Sequence, residues 1–175
     1  MRTSLVLTVI GDDKPGIVEQ LSDRVLETGA NWEESRMARL AGKFAGLLRV
    51  SVEADRAEQL AGALRALDAG GLTVVVEPSV EGEGAEPRKV SLEVVGNDHP
   101  GIVRDISRVL AQHDVNIEEL ETEITSAPMS GEALFHARAI LRVPPSVAID
   151  RLRGVLESLA GELMVDLALG EPERD

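Results

Sequence analysis

The sequence predicts an α+β protein made of two similar small domains, and three observations support that prediction. The segment Val9–Val18 returns 85 positions later as Val94–Val103, with its glycines and its proline in the same places. The same spacing carries Asn31 onto Asn116. Around these landmarks, apolar residues alternate as in strands in some segments and recur at helical spacing in others. In a chain of 175 residues, such a repeat indicates two domains of about 80 residues each.

The first copy is predicted to run strand, helix, strand, strand, helix, strand. Residues 4–10 alternate between apolar and other side chains, which indicates a strand. Residues 11–14 form a turn, and Pro15 suits the first turn of a helix because an N–H there has no helical partner to lose. That helix ends near Gly29, since glycine is common just past a helix end. The remaining strands are predicted over 31–40, 44–52 and 72–77, and the second helix over 55–69.

The second copy repeats this order, with about eight extra residues between its second and third strands. Each copy splits two strand–helix–strand units around a hairpin, which is the ferredoxin-like βαββαβ arrangement. Right-handed crossovers then place both helices on one face of a four-stranded antiparallel sheet. We predict a first domain over 1–79, a linker over 80–88, a second domain over 89–170 and an acidic tail over 171–175.

Composition argues against several classes of function. The formal net charge of −13, without a basic stripe, disfavours direct binding to DNA or RNA. The absence of cysteine removes disulfides and thiolate chemistry. No apolar segment is long enough for a signal peptide or a membrane span, so we expect a cytoplasmic protein without membrane contact.

No catalytic or cofactor motif is visible in the sequence. The histidines His99, His113 and His136 lack the spacing of metal ligands. Adjacent acids such as Glu33 and Glu34 should point to opposite faces of a strand, so they do not form an acid–base pair. The chain has no nucleophile elbow, Walker loop or dinucleotide-binding glycine motif. We therefore predict a protein that is not an enzyme and that needs no metal or cofactor.

The repeated loop before the first helix is the strongest candidate for a binding site. The first N–H groups of a helix lack partners within the helix and can hold a carboxylate. Gly11 and Gly16 allow a tight turn and a close approach to the backbone, and Asp12 or Asp13 suits an ammonium group. Together these groups suit a zwitterion; the alternative is that Asp12 or Asp13 only caps the helix. Asn31 either closes the corner between loop and strand or reaches a ligand with its amide.

These residues resemble a known family. Gly11–Val18 followed by Ala30–Arg36, and Asn97–Val103 followed by Val115–Leu120, resemble the ACT domain, a small regulatory module that binds amino acids. A tandem pair without a catalytic domain, with Ser35–Met37 on the second strand, most resembles the glycine cleavage system transcriptional repressor group. The resemblance implies a ligand between paired domains, at the loop and at the start of the second strand. The ligand-binding residues implied are Gly11, Asp12, Asp13, Pro15, Gly16, Ile17 and Asn31, with Gly96, Asn97, Asp98, Pro100, Gly101, Ile102 and Asn116 in the second copy.

The resemblance also implies a function. We expect a non-enzymatic regulator of transcription that responds to a small amino acid, with glycine as one option, and acts through a protein partner such as a transcription factor. A homodimer is a further option. Two alternatives remain open: an ACT regulatory subunit that acts in trans on a metabolic enzyme, and an interaction module that binds no ligand. The short hairpin and the more acidic loop favour the first copy as the occupied site.

Overall fold

The computed structural model of the protein describes residues 1–79, 87–127 and 131–172. The chain divides into two compact units, unit 1 (Met1–Gly82) and unit 2 (Glu83–Asp175). Most of the predicted linker and the last three residues of the predicted tail lie outside the described residues. The first strand of unit 2 begins at Arg88, the last residue assigned to that linker.

Each unit has the predicted order of elements. Unit 1 contains β1 (Arg2–Asp12), α1 (Ile17–Glu27), β2 (Asn31–Leu40), β3 (Lys43–Glu53), α2 (Ala57–Arg65) and β4 (Leu72–Pro78). Unit 2 contains β5 (Arg88–Asn97), α3 (Ile102–Gln112), β6 (Asn116–Ser126), β7 (Ala133–Val143), α4 (Ile149–Leu163) and β8 (Val165–Gly170). Every neighbouring pair of strands is antiparallel, in the order β2-β3-β1-β4 and β6-β7-β5-β8. The predicted α+β fold with two ferredoxin-like units is therefore confirmed.

Each unit buries one face of its sheet under its two helices. In unit 1 the buried residues of β1 and β3 pair directly, with Leu5 opposite Val50 and Leu7 opposite Leu48. The helices contribute apolar side chains at the predicted helical spacing, including Leu21 of α1 and Leu60 of α2. The two cores form separate clusters, and each cluster contains residues of one unit only.

The opposite sheet faces of the two units differ in character. In unit 1, Ile10, Leu47 and Val75 lie on this face, and each side chain is about half exposed. In unit 2 the matching face carries mostly charged residues. They include Glu93, Glu121, Glu123, Arg138 and Asp166. The duplicated fold thus exposes several apolar side chains on this face in unit 1, beside the charged Arg36, Arg49 and Glu77, and mainly acidic side chains in unit 2.

Two expectations for the second strands need correction. In the strand register Gly11 lies opposite Phe44 and Gly96 lies opposite Phe135, so Phe44 and Phe135 are equivalent residues. The offset between equivalent residues is 85 before the hairpin and 91 after it, so the insertion is six residues rather than eight. Residues 128–130 of that insertion lie outside the described residues. A β-bulge in unit 1 also breaks the strict alternation, because the register shifts between Trp32 and Glu34.

The bulge changes where two acidic side chains point. An extra residue in one strand disrupts the two-residue period of side-chain direction. The carboxylates of Glu33 and Glu34 therefore both lie 3.5 Å from nitrogens of Arg49 instead of facing opposite ways. The pair forms a local ion cluster around one arginine.

Candidate functional site

The repeated loops lie at the same place in both units, where the first strand ends and the first helix begins. The helices α1 and α3 begin directly after Gly16 and Gly101, whose φ angles are 90° and 104°. Neither helix has a side-chain cap at its N-terminus. The capping alternative for Asp12 and Asp13 is therefore not what the structure has, and the first N–H groups of both helices carry no side-chain cap.

The first glycine of each loop is required by a neighbouring strand. Gly11 and Gly96 lie within β1 and β5 rather than in a turn. A Cβ added to Gly96 would lie 2.6 Å from Cγ1 of Val165, and one added to Gly11 would lie 2.8 Å from the carbonyl oxygen of Gly71. These glycines allow close packing at the start of the last strand of each unit.

The loop of unit 1 is held closed by cations from the β2–β3 hairpin. Asp13 Oδ2 accepts a hydrogen bond of 2.6 Å from Nε of Arg39, and its backbone N–H donates to the carbonyl of Gly42 at 2.9 Å. Asp12 accepts a hydrogen bond from Lys43, which lowers the pKa of the Asp12 carboxyl, with the charge of Lys43 adding to the effect. Both carboxylates that we expected to receive an ammonium group are thus paired within the unit.

The loop of unit 2 lacks both of these cations. The strand register puts Leu134 where unit 1 has Lys43, and Ile124 where unit 1 has Arg39. The backbone contact is kept, since the N–H of Asp98 donates to Ala133 at 2.9 Å. Within the described part of the chain, the Asp98 carboxylate has no ion pair and no side-chain hydrogen bond. It is exposed and available to a ligand.

A second contact, from a side chain to a backbone carbonyl, joins each loop to the end of the second helical segment of its unit. In unit 1, Nζ of Lys14 donates to the carbonyl of Gly70 at 2.9 Å. In unit 2, Nε2 of His99 lies 3.0 Å from the carbonyl oxygen of Leu163, and Nδ1 lies 3.3 Å from that of Pro100. These carbonyls, Leu163 first, raise the pKa of His99, because only the imidazolium form can donate to both. The matching positions of Lys14 and His99 were the one sign of this role that the sequence contained.

A cleft of about 440 Å³ opens in unit 2 between the loop, the N-terminus of α3 and the strand β6. It contains groups of both signs, with the carboxylate of Asp98 on one side and the side chains of His99 and Arg104 on the other; Glu123 lines it from β6, but its side chain belongs to the opposite face of the sheet. Its apolar lining comes from Ile102, Val103, Ile124 and Phe135, and Gly101 and Thr122 complete the wall. The size lies within the usual range of small-molecule sites. The cleft can accept a carboxylate at the helix N-terminus and an ammonium group at Asp98.

Not all of the predicted site residues lie together. Asp98, Gly101 and Ile102 line the cleft of unit 2. Asn116 begins β6, whereas Ile124 at the cleft lies eight residues further along that strand, a distance of about 26 Å at 3.3 Å per residue. Asn31 is equally far from its own loop. A ligand in the cleft of unit 2 therefore does not contact the asparagine of the same unit.

The described residues contain no group of three or more His, Cys, Asp or Glu side chains arranged to hold a metal ion. No helix in the described ranges is long and apolar enough to cross a membrane.

Comparison with protein families identifies the family of both units. Residues 3–77 match one model described as an ACT domain, and residues 90–157 match a second model with the same description. The two matches together cover most of both units. The chain belongs to the ACT-domain family, with two ACT domains in tandem.

Relatives with both domains are also found. The glycine cleavage system transcriptional repressor of Escherichia coli (strain K12) is 25% identical over 161 residues, which cover 91% of this chain and 85% of the repressor. The crystal structure of an unknown protein from Galdieria sulphuraria is 32% identical, covers 99% of this chain and 100% of its own, and superposes with a TM-score of 0.88. This chain, with its two ACT domains, is thus homologous to a bacterial transcriptional repressor.

Proposed function

We propose that the protein is an amino-acid-responsive regulator of transcription, related in function to the glycine cleavage repressor, and that unit 2 carries its ligand site. The observation that carries this proposal is the unpaired Asp98 carboxylate at the cleft. Its equivalent in unit 1, Asp13, is neutralised by Arg39. The geometry therefore favours the second copy for the ligand, although loop acidity alone favours the first.

Charge supports recognition of a free amino acid in the cleft of unit 2. The N–H groups of residues 102–104 precede the first helical bond, in which Asp105 donates to Gly101 at 2.9 Å. They are the partners that a carboxylate needs. Asp98 offers its carboxylate oxygens to the ammonium group. An isolated anion would meet this unpaired carboxylate, so a zwitterion fits the cleft better than an anion does.

An action through a protein partner is the second part of the proposal. The net charge of −13 opposes contact with the nucleic-acid backbone. The exposed apolar side chains Ile10, Leu47 and Val75 on the sheet of unit 1 offer a surface of the kind found at protein interfaces. We place the protein in the cytoplasm and assign it no catalytic activity.

A matched pair of variants tests the ligand site. Titration calorimetry of the full chain against the protein amino acids should give saturable binding of at least one of them. Asp98→Asn should weaken that binding at least tenfold, because it removes a charge-assisted hydrogen bond to the ammonium group. Asp13→Asn is the control and should leave the affinity within about twofold.

Two results would contradict the proposal. One is the absence of binding by any amino acid at millimolar concentration. The other is a loss of affinity in Asp13→Asn with none in Asp98→Asn, which would put the ligand in unit 1. Thermal unfolding of both variants without ligand shows whether the fold is intact. With ligand at a hundredfold its Kd, binding adds about 2.7 kcal/mol to the free energy of unfolding.

A further inference from the structure

An apolar slot lies beside the cleft of unit 2. It runs between α3 and the strands of the sheet and holds a free volume of about 20 Å³, roughly that of one water molecule. Ser107 is the one polar residue among those that line it. Val103 and Phe135 line both the slot and the cleft, so the two spaces are adjacent. A molecule held at the loop can therefore extend an apolar group toward the slot.

The same place in unit 1 is filled by larger side chains. The strand register matches Trp32 of unit 1 to Ile117, Met37 to Thr122 and Leu48 to Ala139. Cγ of Met37 lies only 2.6 Å from the position of a Cβ on Gly46, so this side chain occupies the space above β3. Trp32 and Met37 both pack against the core of unit 1.

The remaining exchanges do not close the slot. Gly46 corresponds to Ala137, Ser35 to Leu120 and, at the 85-residue spacing of the first helices, Val25 to Leu110, and all three changes add atoms in unit 2. Leu120 is 46% exposed, which places much of its side chain at the surface rather than inside the slot. Ala139 is buried on the helix-covered face of the sheet, at the position where unit 1 buries the larger Leu48.

We infer that the ligand of unit 2 is an α-amino acid with a small branched aliphatic side chain, such as valine, leucine or isoleucine, rather than glycine. This inference rests on the proposed function and adds the class of ligand. The charged head group is held by Asp98 and the first N–H groups of α3. The side chain lies on Val103 and Phe135, and its terminal methyl enters the slot. The slot is too small for an aromatic ring, and its apolar lining disfavours a polar side chain.

Affinity across a series of amino acids tests the inference on the unmodified protein. Calorimetric titration of the full chain with glycine, alanine, valine, leucine, isoleucine and phenylalanine gives the order of Kd values. Each methylene that is buried adds about fourfold in affinity. We expect at least one of the three branched amino acids to bind tenfold or more tightly than alanine, and more tightly than glycine and phenylalanine.

Variants that give unit 2 the residues of unit 1 test the position of the side chain. Ala139→Leu and Thr122→Met should each weaken binding of the preferred branched amino acid at least tenfold. Alanine, which does not reach the slot, should keep its affinity within about threefold in Ala139→Leu. Met37→Thr makes the matching change in unit 1 and should leave every affinity unchanged.

The outcomes separate this inference from the proposed function. If glycine or a polar amino acid binds most tightly and loses affinity in Asp98→Asn, the proposed function stands and the aliphatic class is wrong. If no amino acid binds, both fail. Unchanged affinity for the branched ligand in a folded Ala139→Leu protein would also overturn the inference. Should that variant not fold, Thr122→Met and the ligand series on the unmodified chain decide.

Discussion

The second glycine of each loop has a backbone conformation that other residues rarely adopt. Gly101 has a φ of 104°, and a Cβ there would meet only ordinary contacts, at 3.5 Å from Arg104 and Asp105. The penalty for a side chain at this position is therefore conformational rather than steric. It follows that substitution here acts first on folding, so a loss of ligand binding in such a variant would need a stability measurement beside it.

We predict that Gly101→Ala lowers the free energy of unfolding by about 1–2 kcal/mol. Gly154 is the control, because it lies in the exposed interior of α4 with no atom within 4 Å of an added Cβ and no positive φ. Gly154→Ala should stabilise the protein by up to about 1 kcal/mol through helix propensity. Urea unfolding of both variants measures the difference, and equal effects of the same sign would refute the prediction.

His99 gives the loop of unit 2 a dependence on pH. The carbonyls of Leu163 and Pro100 raise its pKa in the folded protein. A group with a raised folded pKa contributes stability that is fully present below its unfolded pKa, about 6.5 for histidine, and that is lost as pH rises through the folded pKa. Protonated His99 also adds a positive charge beside the exposed Asp98 carboxylate.

We predict that His99→Ala destabilises the protein more at pH 5.5 than at pH 8.5. Urea unfolding of the variant and the parent at both pH values gives the two differences, so other titrating groups cancel. Lys14→Ala removes the corresponding contact in unit 1 without involving a histidine. Its effect should be the same at both pH values, and a pH-independent effect of His99→Ala would contradict the prediction.

The residue scale is where the sequence was least informative about the site. The repeated motif correctly located both loops at the start of a helix. It could not show that Arg39 and Lys43, contributed by the distant hairpin, neutralise the acids of unit 1. Such pairing depends on strand register, which places residues 26 and 31 positions apart next to each other. The preference for the first copy was formed without this information, and which copy binds the ligand stays a prediction.

At the scale of elements, periodicity predicted the order and type of every helix and strand. It did not predict how the second helix of unit 1 ends. The predicted helix over 55–69 is an α-helix over Ala57–Arg65, preceded by a 3-10 turn at Ala54–Arg56 and followed by another at Ala66–Gly70. Tightened turns of this kind are common at helix ends, and they change the hydrogen bonding without changing the apolar spacing. A pattern of apolar residues therefore cannot distinguish the two.

The bulge on β2 was also beyond the reach of a period-two pattern. It has a counterpart on β6, where the register shifts between Ile117 and Glu119. The extra residue there is Glu118, whose carboxylate lies 2.7 Å from Lys89 and 3.7 Å from Arg142. Both copies thus keep a bulge whose acidic residue faces an arginine of the neighbouring strand. An alternating pattern assigns such residues to the wrong face.

For the whole molecule, the separate cores have a direct consequence for folding. Each core cluster is complete within one unit. A domain of this size buries enough apolar surface to fold alone, though with a small margin. We predict that residues 1–79 and residues 87–172, expressed as separate chains, each fold and unfold cooperatively.

Circular dichroism during thermal unfolding checks this prediction. A sigmoidal transition for each fragment is the expected result, and a featureless slope for either would contradict it. A fragment of residues 1–40, which contains β1 and β2 but not the β3 strand between them, is a suitable control and should be unfolded. The sequence repeat alone pointed to two such units, because a duplicated pattern implies a duplicated core.

The acidic face of unit 2 also governs how copies of the protein meet at high concentration. The strand β6 forms one edge of its sheet, and Glu121 and Glu123 extend along it as exposed side chains. At neutral pH, two such strands brought side by side would place like charges opposite one another, which opposes intermolecular strand pairing and the aggregation that follows from it. The net charge of the whole chain falls toward zero as the pH approaches the sequence pI of about 4.7. Acidification to that pH therefore removes the net repulsion between copies that opposes precipitation at neutral pH.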